Sequence, residues 1–176
     1  RALAEAVDLP LILYNVPGRT VTALSIESII ELSKNSRIKA IKEASGNISF
    51  AKEIRSKCGK EFILLSGDDG TYVDFLKAGG NGVISVATHV IPKQFVNWTR
   101  DVQDGTLNVK SVEQDFSRYG ELIKLLFCEA NPIPVKMALY KMGILKSPEL
   151  RLPLTTLTPE LTESLVGEMK RTGVLS

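Results

Sequence analysis

Lys42 ends a short apolar run, Ile38-Lys39-Ala40-Ile41-Lys42, and the chain passes directly into Glu43-Ala44-Ser45-Gly46-Asn47. An amine walled by apolar neighbours at such a strand end is placed to add to a carbonyl, because only the neutral amine is a nucleophile. Tyr14 ends an earlier run, Leu11-Ile12-Leu13-Tyr14. Side chains alternate along a strand, so Tyr14 shares a face with Ile12, and Lys42 shares one with Ile38 and Ala40. A phenol at the same rim suits imine formation, which needs protons moved to and from the carbinolamine oxygen. A lone phenol is a poor base, so it would need a relay or a cationic neighbour. Arg19 follows in Asn15-Val16-Pro17-Gly18-Arg19-Thr20, the loop after the first run. Its planar guanidinium matches a carboxylate through two hydrogen bonds and would select an acidic substrate. Each of the three also has a plainer reading, as a solvated lysine, a packed aromatic and an exposed loop arginine.

Other polar clusters carry less. Ser66-Gly67-Asp68-Asp69-Gly70 offers two oxygen donors beside a glycine turn, but helix capping with close backbone approach at Gly67 explains it without a metal. Gly79-Gly80-Asn81-Gly82 precedes a strand instead of opening a helix, the wrong context for a phosphate cradle. His89 is the only histidine, and no nucleophile and carboxylate accompany it to form a triad. Cys58 and Cys128 stand alone, outside any CxxC or His-Cys cluster. That fits a reducing compartment and speaks against structural zinc.

The elements that must position these residues form a repeat. β-like runs at Leu11–Tyr14, Ile38–Lys42, Phe62–Ser66 and Gly82–Val86 are each followed by helical spacing. Ser25 to Asn35 has an apolar face of Ile26, Ile29, Ile30 and Leu32. Asn47 caps a helix through Cys58, with Gly59 at the left-handed position beyond it. Asp68 or Asp69 caps Thr71 to Ala78, ended by Gly79, and Pro92 opens a helix to about Asp104, before Gly105. Near-continuous apolar strands alternating with helices predict a parallel sheet covered on its faces.

From about Leu107 the pattern is helical, with Val112, Phe116, Tyr119, Leu122, Ile123, Leu126 and Phe127 at helical spacing. Asn131-Pro132-Ile133-Pro134 interrupts it before Val135–Met142, which Gly143 stops. Thr158 and Pro159 open a last helix, with Gly173 beyond it. The expected organisation is residues 1–105 as four βα units, half of a TIM (β/α)8 barrel, and 106–176 as a helical appendage. A doubly wound sheet is the alternative, since both folds place their sites at the carboxyl ends of the strands. Arg1 to Val7 reads as the last turns of a helix, which makes the start look broken and favours the half barrel.

The 176 residues are 44% hydrophobic and 24% charged, with a formal net charge of only +2, which reads as soluble and globular. The basic residues form no stripe, so nucleic acid and membrane surfaces are poor partners and small neutral or anionic metabolites are better ones. No apolar run approaches the roughly 20 residues of a membrane span, and no secretion signal is visible, so a cytoplasmic protein is expected.

Five segments in order resemble the dihydrodipicolinate synthase (4-hydroxy-tetrahydrodipicolinate synthase) family of pyruvate-dependent class I aldolases and lyases. They are Tyr14–Thr20, Ile41–Asn47, Leu65–Asp69, Gly79–Val86 and Asn131–Lys136. The resemblance implies that Lys42 forms an imine with pyruvate and that the enamine attacks the aldehyde of L-aspartate 4-semialdehyde. It implies Tyr14 as proton carrier, Arg19 as clamp on the semialdehyde carboxylate, Gly67 as a backbone position beside substrate, and Ile84 as a position whose main chain helps bind pyruvate. It implies no catalytic metal or organic cofactor, a role in lysine and diaminopimelate biosynthesis, and a homotetramer built as a dimer of dimers.

Family members have a complete barrel. Their first half supplies a threonine hydroxyl relay, a second tyrosine from across a dimer interface, and the lysine feedback pocket where that exists; these parts have no counterpart here. A carboxyl-terminal fragment, or a chain needing its complementary half, is therefore expected. N-acetylneuraminate lyase and sugar-acid aldolases share the lysine and tyrosine, but Arg19 suits aspartate semialdehyde better than a polyhydroxylated aldehyde. A non-catalytic half-barrel assembly module is the reading from another class.

Overall fold

The computed structural model describes residues 2–106 and 108–176. Packing divides the chain into two compact units, one running to Ser85 and the other from Val86 on. The first opens with α1 (Ala2–Ala6) and then alternates strand and helix. Its elements are β1 (Leu11–Asn15), α2 (Pro17–Thr20), α3 (Ile26–Ser33), β2 (Ile38–Glu43), α4 (Ile48–Cys58), β3 (Ile63–Ser66), α5 (Tyr72–Lys77) and β4 (Gly82–Val83). The four strands form one parallel sheet in sequence order, β1-β2-β3-β4.

One face of this sheet is sealed by helices. Ile41 and Leu64 are fully buried there with Ile29 of α3, Ala51 and Ile54 of α4, and Phe75 of α5. The helices start where side-chain oxygens accept otherwise unpaired amides. Ser25 accepts from Ser28 N, Asn47 from Phe50 N, and Asp68 from Thr71 N. Asp68 and not Asp69 is thus the cap, and it opens a single 3₁₀ turn, Asp69–Thr71, ahead of α5.

Several boundaries differ from expectation. Arg19 does not lie in an open loop, because Pro17 starts the one-turn helix α2 around it. β4 is two residues long instead of five-residue Gly82–Val86. Ile84 N still donates to Ser66 O at 2.9 Å, but Val86 turns helical (φ −83°, ψ −44°) and leads the chain into a 3₁₀ turn, Ala87–His89. Gly59 has positive φ but extended ψ (78°, 179°), so it ends α4 by redirecting the chain and not in the left-handed helical region.

The second unit holds α6 (Pro92–Gln103), α7 (Val109–Arg118), α8 (Gly120–Leu125), α9 (Ile133–Lys141) and α10 (Pro159–Arg171). The helix read from about Leu107 starts, among the described residues, at the Asn108 cap; Leu107 itself lies outside them, as does Arg1. It breaks at Tyr119 (φ −98°, ψ 0°) into α7 and α8. Trp98 of α6 packs on Phe95, Phe116 and Tyr119, with ring centres 5.0, 5.1 and 5.7 Å away, and donates its indole N–H to Asp115 Oδ2 at 2.8 Å. This aromatic cluster is why α6 packs with the helices that follow it. Among the described residues no helix is long and apolar enough to cross a membrane.

Candidate active site

The strand register builds the site. Tyr14 on β1 pairs with Lys42 on β2, Lys42 with Leu65 on β3, and Leu65 with Gly82 on β4. Cross-strand partners point to the same face. Lys42 and Tyr14 therefore emerge together, and Lys42 Nζ stands 4.2 Å from the centre of the Tyr14 ring, a cation–π contact. Lys42 is half-buried.

Gly67 shapes the lysine's other flank. A Cβ there would lie 2.8 Å from Lys42 Cε and 2.6 Å from Ala44 Cβ, closer than real carbon atoms approach. Only a bare backbone fits beside the lysine stem. Ile84 shares the face of Gly82 by alternation and is 46% exposed. Three of the five expected residues, Lys42, Tyr14 and Gly67, are thus brought into one cluster. Ile84 joins their face of the sheet, and Arg19 is carried outside the sheet, on α2. Among the described residues its guanidinium has no hydrogen bond or ion pair. The helix carrying it ends at Val21, held at φ +64°, a region uncommon for a β-branched residue.

Apart from Lys42 and the Tyr14 hydroxyl, this face is apolar and largely open. Ile12, Tyr14, Ile63 and Ile84 are 54%, 51%, 43% and 46% exposed on a sheet whose opposite face is sealed.

Sequence reading missed the next pair along the strands. Asn15 and Glu43 are register partners, each 2% exposed, pointing to the face opposite Tyr14 and Lys42. Asn15 Nδ2 donates to Glu43 Oε2 at 2.6 Å, Ser45 N donates to Glu43 Oε1 at 2.7 Å, and Leu24 N donates to Asn15 Oδ1 at 2.9 Å. The available signal was a polar residue directly following each candidate residue on both strands.

Asp68 Oδ2 also accepts from Thr71 Oγ1 at 2.6 Å, the capping role expected for this segment. His89 Nδ1 lies 2.9 Å from Val86 O, a local contact in its own turn.

Parallel βα units presenting an amine beside a phenol at the carboxyl ends of adjacent strands define a class, the α/β folds that carry their sites there, barrel or doubly wound. Solved structures give the particular match. The lysine-bound dihydrodipicolinate synthase of Cyanidioschyzon merolae superposes with a TM-score of 0.93 at 40% identity, over 99% of this chain and 59% of that one. The chloride-inhibited enzyme of Acinetobacter baumannii complexed with pyruvate gives 0.93 at 36%, with the same coverage. The four βα units are the C-terminal half of a TIM (β/α)8 barrel, followed by a helical appendage. Residues 1–172 match the dihydrodipicolinate synthetase family, and the chain belongs to that family. The 4-hydroxy-tetrahydrodipicolinate synthase of Bdellovibrio bacteriovorus is 56% identical over 175 residues. The chain spans about 59% of that relative's length.

Proposed function

We propose that this chain is the nucleophile-bearing part of a 4-hydroxy-tetrahydrodipicolinate synthase. The observation that carries the reading is Lys42 Nζ over the Tyr14 ring, flanked by a position where only glycine fits. The Lys42 amine adds to the C2 carbonyl of pyruvate, and loss of water leaves an imine. Loss of a proton from C3 gives the enamine. C3 then bonds to the aldehyde carbon of L-aspartate 4-semialdehyde, whose oxygen takes up a proton. The substrate's own amine next attacks the imine carbon, closes the ring and expels Lys42. Tyr14 carries protons in these steps, Arg19 holds the semialdehyde carboxylate, and the backbone at Gly67 and Ile84 lies against substrate.

The open apolar face supports a reading in which residues 1–105, the half barrel, carry the chemistry and a complementary barrel half covers the lysine, with residues 106–176 as the helical region. The relative solved with pyruvate supports the first substrate. On this reading the protein acts in the cytoplasm as a homotetramer, in lysine biosynthesis through diaminopimelate, without metal or organic cofactor. Related Schiff-base aldolases differ at the second substrate, where the uncommitted Arg19 guanidinium favours an acidic aldehyde.

The test is a condensation assay on the full-length protein. Lys42→Ala abolishes product, and Arg19→Ala raises KM for the semialdehyde while leaving that for pyruvate nearly unchanged. Equal use of neutral sugar aldehydes by the parent would move the assignment to another aldolase.

A further inference from the structure

We propose that Asn15 and Glu43 are positioning residues for the Lys42 chemistry. They form a buried side-chain clasp at the carboxyl ends of β1 and β2 that keeps Lys42 opposite Tyr14 and closes the loop bearing Arg19. The catalytic part of this proposal rests on the function proposed above; its geometric part does not.

The clasp sits one register step beyond the Tyr14 and Lys42 pair, where the ladder between the two strands ends. Strand ends fray unless something ties them. Here the last main-chain bond, Ala44 N to Asn15 O at 2.9 Å, is backed by the 2.6 Å side-chain bond between Asn15 and Glu43.

Each remaining arm reaches a segment that carries a candidate residue. The segment from Val16 to Ala23 leaves from Asn15, and the first amide beyond it, Leu24 N, returns to Asn15 Oδ1. That closes the Arg19 loop into a ring. The positive φ of Val21 inside it is a conformation that persists only where surroundings hold it. Glu43 Oε1 fixes the turn after Lys42 through Ser45 N, and Glu43 O accepts from Gly67 N at 2.7 Å. That main-chain bond ties the glycine to the strand end that the clasp holds.

The donor count makes the arrangement testable by exchange. In these bonds Asn15 uses one donor and one acceptor, and Glu43 uses two acceptors. Glu43→Gln turns one acceptor into a donor, which then faces either Ser45 N or Asn15 Nδ2. Asn15→Asp removes the side-chain donor that bridges the two strands and sets two carboxylates against each other. The double variant Asn15→Asp/Glu43→Gln satisfies every partner again, with oxygen and nitrogen exchanged and no change in size.

The experiment uses the full-length protein with ¹³C-methylated lysines, the Lys42 signal being assigned by Lys42→Arg. An amine over an aromatic ring carries a ring-current shift, and Tyr14→Leu defines its position without the ring. Both single variants should move the Lys42 signal toward the Tyr14→Leu position, and the double variant should return it. On separate protein with unmodified lysines, since a dimethylated amine cannot form the imine, the rate of borohydride-trapped adduct formation at saturating pyruvate should fall about tenfold or more in each single variant and recover to within about threefold in the double. Single variants that melt earlier but keep the parental shift and trapping rate would reduce the pair to a stability role and overturn the proposal. If a single variant does not fold, the double variant decides, and its failure to fold or a displaced Lys42 signal in it overturns the clasp. A parent that forms no adduct removes the function proposed above, and the lysine shift alone then decides the positioning.

Discussion

Lys42 and Tyr14 are register partners on adjacent parallel strands, and the amine stands 4.2 Å from the centre of the phenol ring. The contact lets the roles of ring and hydroxyl be separated. Tyr14→Phe keeps the ring, and with it the lysine's neighbour, but removes the proton carrier. Turnover should fall about a hundredfold or more, with KM for pyruvate nearly unchanged. Tyr14→Leu should lose both. Steady-state kinetics check this, and parental turnover in the phenylalanine variant would remove Tyr14 from the proton transfers.

Gly67 gives a second separation. Its amide is fixed to Glu43 O at 2.7 Å, so an added methyl must displace its neighbours, Ala44 Cβ and the Lys42 stem. Gly67→Ala should lower stability by about 1–3 kcal/mol through overpacking and slow pyruvate trapping about tenfold or more through the displaced amine. Adding Ala44→Gly relieves only the first clash. Stability measured by denaturant should then partly recover while the trapping rate stays low. Recovery of both would show that the lysine was never displaced.

Much of this architecture was legible in the sequence because its signals are local. Asn47, Asp68 and Thr158 cap helices three residues or fewer ahead of the amides they accept from, a spacing written in the chain. The alternation that put Tyr14 and Lys42 at one rim is equally local, and the register bore their pairing out. What was missed depends on tertiary position. The Asn15 and Glu43 pair joins residues 28 apart in sequence, and only the strand register brings them together. The early end of β4 follows from the helical turn at Val86, and the break at Tyr119 goes with its packing on Trp98, neither of which periodicity encodes. The turn that carries Arg19 is local as well, because Pro17 is itself a helix-start signal.

Arg55 should affect stability without touching chemistry. Its guanidinium donates to Gly59 O (2.6 Å), Phe62 O (2.9 Å), Gly79 O (3.0 Å) and Asn81 Oδ1 (2.6 Å), joining the end of α4 to the segments entering β3 and β4. Burial draws its pKa below the usual arginine value. An ammonium cannot reproduce that planar fork. Arg55→Lys should cost about 2 kcal/mol in chemical denaturation, with the trapping rate per folded molecule unchanged. A rate loss would mean that the amino ends of these strands are coupled to the site.

The second unit carries a pH-dependent contact. Arg171 Nε and Nη2 hold Glu168 Oε2 and Oε1 at 2.8 and 2.6 Å, and this hydrogen bonding lowers the Glu168 pKa, with burial opposing it. A carboxyl whose folded pKa lies below its unfolded one stabilises above the unfolded value and loses that contribution as pH falls through the folded one. The melting temperature of the parent should therefore exceed that of Glu168→Gln at pH 7, and the gap should close as pH drops below about 5. A gap that widens on acidification would contradict the sign.

Borohydride reduction of the full-length protein with pyruvate, followed by peptide mapping, tests Lys42 as the imine-forming residue. One reduced pyruvate adduct is expected, on Lys42, absent without pyruvate and absent in Lys42→Arg. An adduct on another lysine, or none in the assembled protein, would contradict that assignment.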